Sequence, residues 1–142
     1  MSTLSAAIKA SGSALSAERA RIEVAVSNLS NAGSTRSADG QPYRRRDVIL
    51  APDQIHSFDA ALGAASATGV KVAGIVEDTQ PFQVVHDPTH PDADAEGNVL
   101  MPNVKAEEEM VDLLTAARAY QANLAAVNVI RDMVARALEL GK

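Results

Sequence analysis

Between Leu4 and Leu29 the larger apolar residues recur at Leu4, Ile8, Leu15, Ile22 and Leu29, with Ser11 and Ala25 at intermediate positions. Steps that alternate three and four keep side chains along one side of a helix, in the heptad manner of helices that pack along their length. No proline interrupts the stretch, and Gly12 costs about 1 kcal/mol relative to alanine. Ser2, Thr3 and Ser5 can cap its start, while Asn28, Asn31 and Gly33 supply a stop. The pattern predicts a helix over 3–31.

The C-terminal third repeats the design at Met110, Leu113, Ala117, Tyr120, Leu124, Val127, Val134 and Leu138, slipping only where Arg131 takes the expected slot beside Ile130. Glu107, Glu108 and Glu109 fall in the first turn, where carboxylates complement the helix dipole; Arg136 and Lys142 lie near the far end, and Gly141 closes it. A helix over 105–140 follows, about 50 Å long at 1.5 Å per residue. That exceeds the ordinary width of a domain of this size.

Between these helices the period shortens. Gln41–Leu50, Gly69–Glu77 and Phe82–His86 are rich in β-branched residues with partial alternation and predict two or three strands. Gly33–Gly40, Ala60–Thr68 and Asp87–Asn98 carry Gly, Ser, Ala, Asp and Pro without period and predict loops, the middle one flexible. The expected fold is mainly α, with two long terminal helices pairing as a coiled-coil-like domain from 1–32 and 105–142. A small β-containing insert occupies 33–104. Two thin helices bury only one seam, so the remainder of their apolar faces calls for further helices, and the ends of a free chain should be poorly ordered until copies associate.

Composition agrees with thin packing. Of 142 residues 46% are apolar, but aromatics make up only 3%, so alanine supplies much of the apolar content and large blocks of buried area are scarce. Charge is segregated: Met1–Arg46 carries seven basic and three acidic side chains, Asp47–Glu109 two and twelve, and Met110–Lys142 four and three. Such asymmetry suits complementary contacts between copies or with partners, and equally a solvated acidic middle. Only Arg44, Arg45 and Arg46 cluster, too few basic residues for a nucleic-acid surface.

Chemistry is sparse. The absence of cysteine removes disulfides, thiolate catalysis and zinc-thiolate sites. His56, His86 and His90 all lie in the irregular middle, and no serine has a nucleophile signature around it, so neither a catalytic residue nor a small-molecule substrate is expected. His86, Asp87, His90 and Asp92 could be drawn as metal ligands, but Pro88 and Pro91 make the segment extended, and exposed loop polarity is the better reading. Asp92, Asp94, Glu96 and Gly97 resemble half of a calcium loop whose twelfth position is Asn103 instead of glutamate. No metal or other cofactor is expected. No apolar run reaches signal-peptide or membrane-spanning length. On the second helix Tyr120, Gln121 and Asn123 are either seam and flank residues or makers of interhelical hydrogen bonds that set register. Asn28 and Asn31 are a helix stop that can also satisfy the backbone of the following loop.

Several short motifs, in order, carry a resemblance. They are Ser27-Asn28-Leu29-Ser30-Asn31-Ala32, Asp39-Gly40-Gln41-Pro42-Tyr43-Arg44, Gly69-Val70-Lys71-Val72-Ala73, Met101-Pro102-Asn103-Val104, Glu109-Met110-Val111, Arg118-Ala119-Tyr120-Gln121-Ala122-Asn123 and the closing Leu140-Gly141. Together they resemble the flagellar basal-body rod proteins; Ser30 stands where that family's Asn-Leu-Ala-Asn-Ala signature has alanine. The resemblance implies a structural subunit of the proximal rod that polymerises through its terminal helices and transmits torque from membrane ring to hook. Its expected partners are copies of itself, other rod subunits and the flagellar type III export apparatus, with the membrane ring a further neighbour that the resemblance allows. Its expected location is the periplasmic rod, reached from the cytoplasm without a cleaved signal peptide. The competing reading is a soluble helical adaptor or chaperone-like module that binds a partner through its exposed seams.

Overall fold

The computed structural model describes residues 2–37, 40–54 and 68–140. The loop expected at 60–68 lies outside the described residues except for Thr68, as do His56, Gly141 and Lys142. In chain order the elements are α1 (Ser2–Ser30), β1 (Arg46–Gln54), β2 (Thr68–Glu77), β3 (Gln83–His86), β4 (Asn98–Met101) and α2 (Ala106–Leu140). β1 and β2 form one two-stranded sheet; β3 and β4 form another, antiparallel, with Val84 opposite Leu100 and Val85 opposite Val99. Two long helices thus bracket a small β insert.

α1 ends where its own polar residues take over the last carbonyls. The Asn31 amide N–H is shared between the Ser27 and Asn28 carbonyls at 3.2 Å each, and the Asn31 side chain donates to Ser27 O at 2.8 Å. Ser30 Oγ donates to the same carbonyl at 2.9 Å. α2 opens with Glu107, Glu108 and Glu109 in its first turn, and Lys105 Nζ reaches Glu108 at 2.8 Å. No described helix is long and apolar enough to cross a membrane.

Two details of the β insert differ from the sequence expectation. The strand expected at Gln41–Leu50 instead runs Arg46–Gln54, because the Arg45 N–H is taken by the Asn103 side chain at 2.8 Å and not by a neighbouring strand. β4 was not anticipated as a strand. Its four residues Asn98–Met101 follow a turn in which Gly97 has a φ of +78°, a conformation that favours glycine.

The chain divides into two compact units. One comprises Met1–Ala20, Ile49–Gly74 and Thr115–Lys142; the other comprises Arg21–Val48 and Ile75–Leu114. In the first, the fully buried apolar side chains among the described residues are Ala17 and Ala116, and Ser13 Oγ accepts the Val70 N–H at 3.1 Å. In the second the buried apolar side chains are Ala25, Val99, Val104, Pro42 and Pro102, beside three buried polar residues, Asn28, Asn103 and Glu109. The core is therefore small, built from alanine, valine and proline, and in the second unit polar residues make up a large share of it.

Candidate functional site

The second unit contains the most elaborate constellation of the chain. Asn28, in the last turn of α1, is 1% exposed and spends its full hydrogen-bonding capacity. Its Nδ2 donates to the Arg46 carbonyl at 2.8 Å and to Glu109 Oε2 at 2.9 Å, while its Oδ1 accepts the Arg46 N–H at 3.0 Å and the Tyr43 hydroxyl at 2.9 Å. By bonding both the N–H and the C=O of Arg46, the amide stands in for a neighbouring strand. Asn103 does similar work nearby, accepting the Arg45 N–H and donating to the Asp78 and Gln80 carbonyls at 3.3 Å each.

Glu109, 1% exposed in the first turn of α2, is the second hub. Arg45 Nε donates to its Oε1 at 2.6 Å, and the same guanidinium faces Asp112 at 3.5 Å, Asp47 at 3.7 Å and Asp78 at 4.0 Å. Burial works against the Arg45 charge, but the hydrogen bond and the attraction of Glu109, with help from Asp47 and Asp112, outweigh it and hold its pKa above the ordinary arginine value. Among the described residues no buried side-chain nitrogen or oxygen lacks a partner. Asn28, Tyr43, Arg45, Asn103 and Glu109 thus join the end of α1, the start of α2 and the chain between them into one satisfied network, a device that fixes register by direction instead of by volume.

The segment expected to be polar loop, Asp87–Asn98, is a string of tight turns. Asp87 Oδ1 accepts from the Thr89 hydroxyl and N–H, Asp94 Oδ1 accepts from the Glu96 and Asn98 N–H groups, and His90 Nδ1 accepts the Asp92 N–H. Asp92 also holds the stretch after α1, through Thr35 Oγ1 at 2.7 Å and Arg36 at 3.1 Å. Of the carboxylates drawn as metal ligands, Asp87 is engaged within these turns and Asp92 with Thr35 and Arg36. Among the described residues no cluster of three or more ligand-type side chains is arranged to hold a metal.

Of the residues singled out by family motif, Asn28 and Tyr43 meet directly, and Asn31 caps α1. Asn123 donates to Ala119 O within its own helix, Tyr120 is half-buried, and Arg118 and Gln121 are exposed. Of the expected seam, Leu4, Leu15, Ile22, Leu29, Leu113, Ala117, Tyr120, Val127 and Val134 are half-buried, while Ile8, Met110, Leu124 and Leu138 are exposed. The less exposed side of α2 runs Glu109, Leu113, Ala116, Tyr120, Asn123, Val127, Ile130 and Val134, an unbroken alternation of four and three. It absorbs Ile130 without the slip at Arg131. Arg45, Asn103 and Glu109 were missed from sequence. The available signal was that Glu109 shares this heptad side with Leu113 and Tyr120, where a carboxylate must find a cation.

The sequence is similar to known proteins along nearly its whole length. Residues 95–140 match the family described as "Flagellar basal body rod FlgEFG protein C-terminal". That match covers the C-terminal third of the chain and points to the proteins of the flagellar basal-body rod. Over 131 residues it is 45% identical to the flagellar basal-body rod protein FlgC of Salmonella typhimurium, covering 92% of each chain. It is 45% identical to FlgC of Bacillus subtilis over 145 residues, 95% of this chain and 96% of that one. It is 37% identical to FlgC of Borreliella burgdorferi over 147 residues, 96% and 97% of the two chains. The chain belongs to the FlgC family of flagellar basal-body rod proteins.

Proposed function

We propose that this chain builds the proximal rod by polymerising through its terminal helices, 1–32 and 105–142 together forming a discontinuous coiled-coil-like rod-core domain with 33–104 as insert. The observation that carries this reading is full-length relatedness to FlgC proteins joined to what the helices leave uncovered: Leu124 is 45% exposed and Leu138 66% on a 35-residue helix. A helix with apolar residues left in water gains most of its stability from packing, so such faces call for further helices. Copies of itself and other rod subunits are the partners, and the rod would carry torque from the membrane ring to the hook.

Export through the flagellar type III apparatus, without a cleaved signal peptide, belongs to the same proposal. A chain whose described buried apolar core is a few alanines, valines and prolines is inexpensive to unfold for threading, and one without cysteines meets no disulfide chemistry in the periplasm. The adaptor reading is not favoured by relatives that match along nearly the whole chain. Leu124→Asp tests the proposal: the variant should be exported at normal levels but build no rod, giving non-motile cells. Normal rods in that strain would overturn the role of the second-helix seam.

A further inference from the structure

Two surfaces of the Arg21–Val48 and Ile75–Leu114 unit are each half of a contact. The first surrounds Arg44. Its guanidinium lies 4.3 Å over the Phe82 ring, and Nη1 makes only two long hydrogen bonds, 3.4 Å to the Asp78 and Gln80 carbonyls. Among the described residues Nε and Nη2 make none, so a guanidinium already positioned by stacking keeps most of its donors for an incoming carboxylate. A cavity of about 170 Å³ opens there, lined in part by Gln41, Tyr43 and Arg46. Phe82 immediately precedes β3, and Val84 follows it two residues on. Val84 is 63% exposed, and its cross-strand neighbour Leu100 is exposed too.

The second surface is the start of α2. Glu108 is engaged by Lys105 and Glu109 by Arg45, but the exposed Glu107 carboxylate has no ion pair or hydrogen bond among the described residues. Met110 and Leu114, three and seven residues on, share its helix face and are 56% and 59% exposed. Each surface therefore has one unspent charge, of opposite sign, next to two bare apolar side chains.

Building on the rod reading, we propose that these surfaces meet head to tail between copies of this chain. The Arg44 guanidinium of one copy takes the Glu107 carboxylate of the next, and Val84 with Leu100 covers Met110 with Leu114. Because the two surfaces are different patches, the contact is heterologous and each copy presents a free half to another, as a filament requires. The charge pair selects the register; the apolar pairs exclude water around it.

The test uses full-length chains in a motile bacterium lacking its own copy of this rod protein. Restoration of motility by the wild-type chain examines the rod reading by itself. With that in hand, Arg44→Glu and Glu107→Arg are each expected to reduce rod number at least tenfold, and the double charge swap to bring it back within about twofold of wild type. Glu107 is exposed, so the thermal melt of free Glu107→Arg should match the wild type, whereas Arg44→Glu gives up its stacking on Phe82 and should melt slightly lower while still folding. Since the chain has no cysteine, Arg44→Cys and Glu107→Cys variants carrying different tags can also be co-expressed and treated with a short bis-maleimide. A cross-linked heterodimer in isolated basal bodies is expected, with none when Thr89→Cys replaces Glu107→Cys. Single variants that assemble normally, a swap no better than either single, or the absence of the cross-link would each overturn the contact while leaving the rod reading intact.

Discussion

In the unit of Arg21–Val48 and Ile75–Leu114, buried amides and a buried ion pair fix the chain by direction. Asn28 bonds Arg46 and Glu109, Asn103 bonds Arg45, and Arg45 clamps Glu109 at 2.6 Å. In the unit of Met1–Ala20, Ile49–Gly74 and Thr115–Lys142, the fully buried apolar residues described are two alanines, whereas Ile8, Leu124, Val129, Met133 and Leu138 stay exposed. A cavity of about 760 Å³ there is lined by Ile8, Val134, Ala135 and Leu138 together with the polar Asn128, Arg131 and Asp132. The first kind of unit satisfies its buried polar groups within one chain, although Val84, Leu100, Met110 and Leu114 stay exposed on it too. The second has geometry but little buried area, and its stability must come from what packs against it. The contrast separates a part whose fold is fixed from within by polar direction from a part with little inside it to hold its helices in place.

The largest effect expected from this contrast is in hydrogen exchange on the dilute monomer. Residues 21–30 and 106–114 should be protected and 2–20 and 115–140 should exchange rapidly, so that the boundary falls inside each helix. Uniform protection along both helices would break the comparison. Next is Arg45→Ala, which leaves the Glu109 carboxylate buried without its cation and should cost about 3 kcal/mol in urea unfolding of the protected unit. Asn28→Ala follows at about 2 kcal/mol, since it strands the Arg46 N–H and the Tyr43 hydroxyl together; a loss no greater than that of an exposed alanine substitution would mean that water replaces the amide.

Smaller still is Gly97→Ala. Its φ of +78° is unfavourable for a side chain, and a Cβ would stand 2.9 Å from Pro88 Cγ, so a loss of about 1 kcal/mol is expected in a thermal melt, confined to the protected unit. The smallest effect is acid. Asp87, held by the Thr89 hydroxyl and N–H, and Asp94, held by the Asn98 and Glu96 N–H groups, have pKa values below the ordinary carboxylate value. Carboxylates depressed in the folded chain contribute stability that is full above their unfolded pKa, about 4, and is lost as pH falls through the folded values. Melting temperature should therefore be flat above pH 5 and decline below 4, and Asp87→Asn with Asp94→Asn should reduce that dependence.

What the sequence alone determined was everything carried by local periodicity. Stripes at steps of three and four placed the helices within a residue or two of Ser2–Ser30 and Ala106–Leu140, and β-branched runs located β2 and β3. The helix-ending asparagines and the acidic first turn of α2 were equally legible, because caps and dipoles act over one turn. The tertiary structure decided which way the helices face and where the insert's strands begin. Glu109 reads locally as one of three dipole-favouring carboxylates, yet it is the buried one, because Arg45 and Asn28 reach it across 64 and 81 residues of chain. The start of β1 at Arg46, the unpredicted β4 and the rotation of the α2 inner side onto Ala116, Asn123 and Ile130 have the same cause. Each depends on a hydrogen bond, an ion pair or a close approach between segments distant in sequence, and a local pattern cannot encode a partner that only folding brings near.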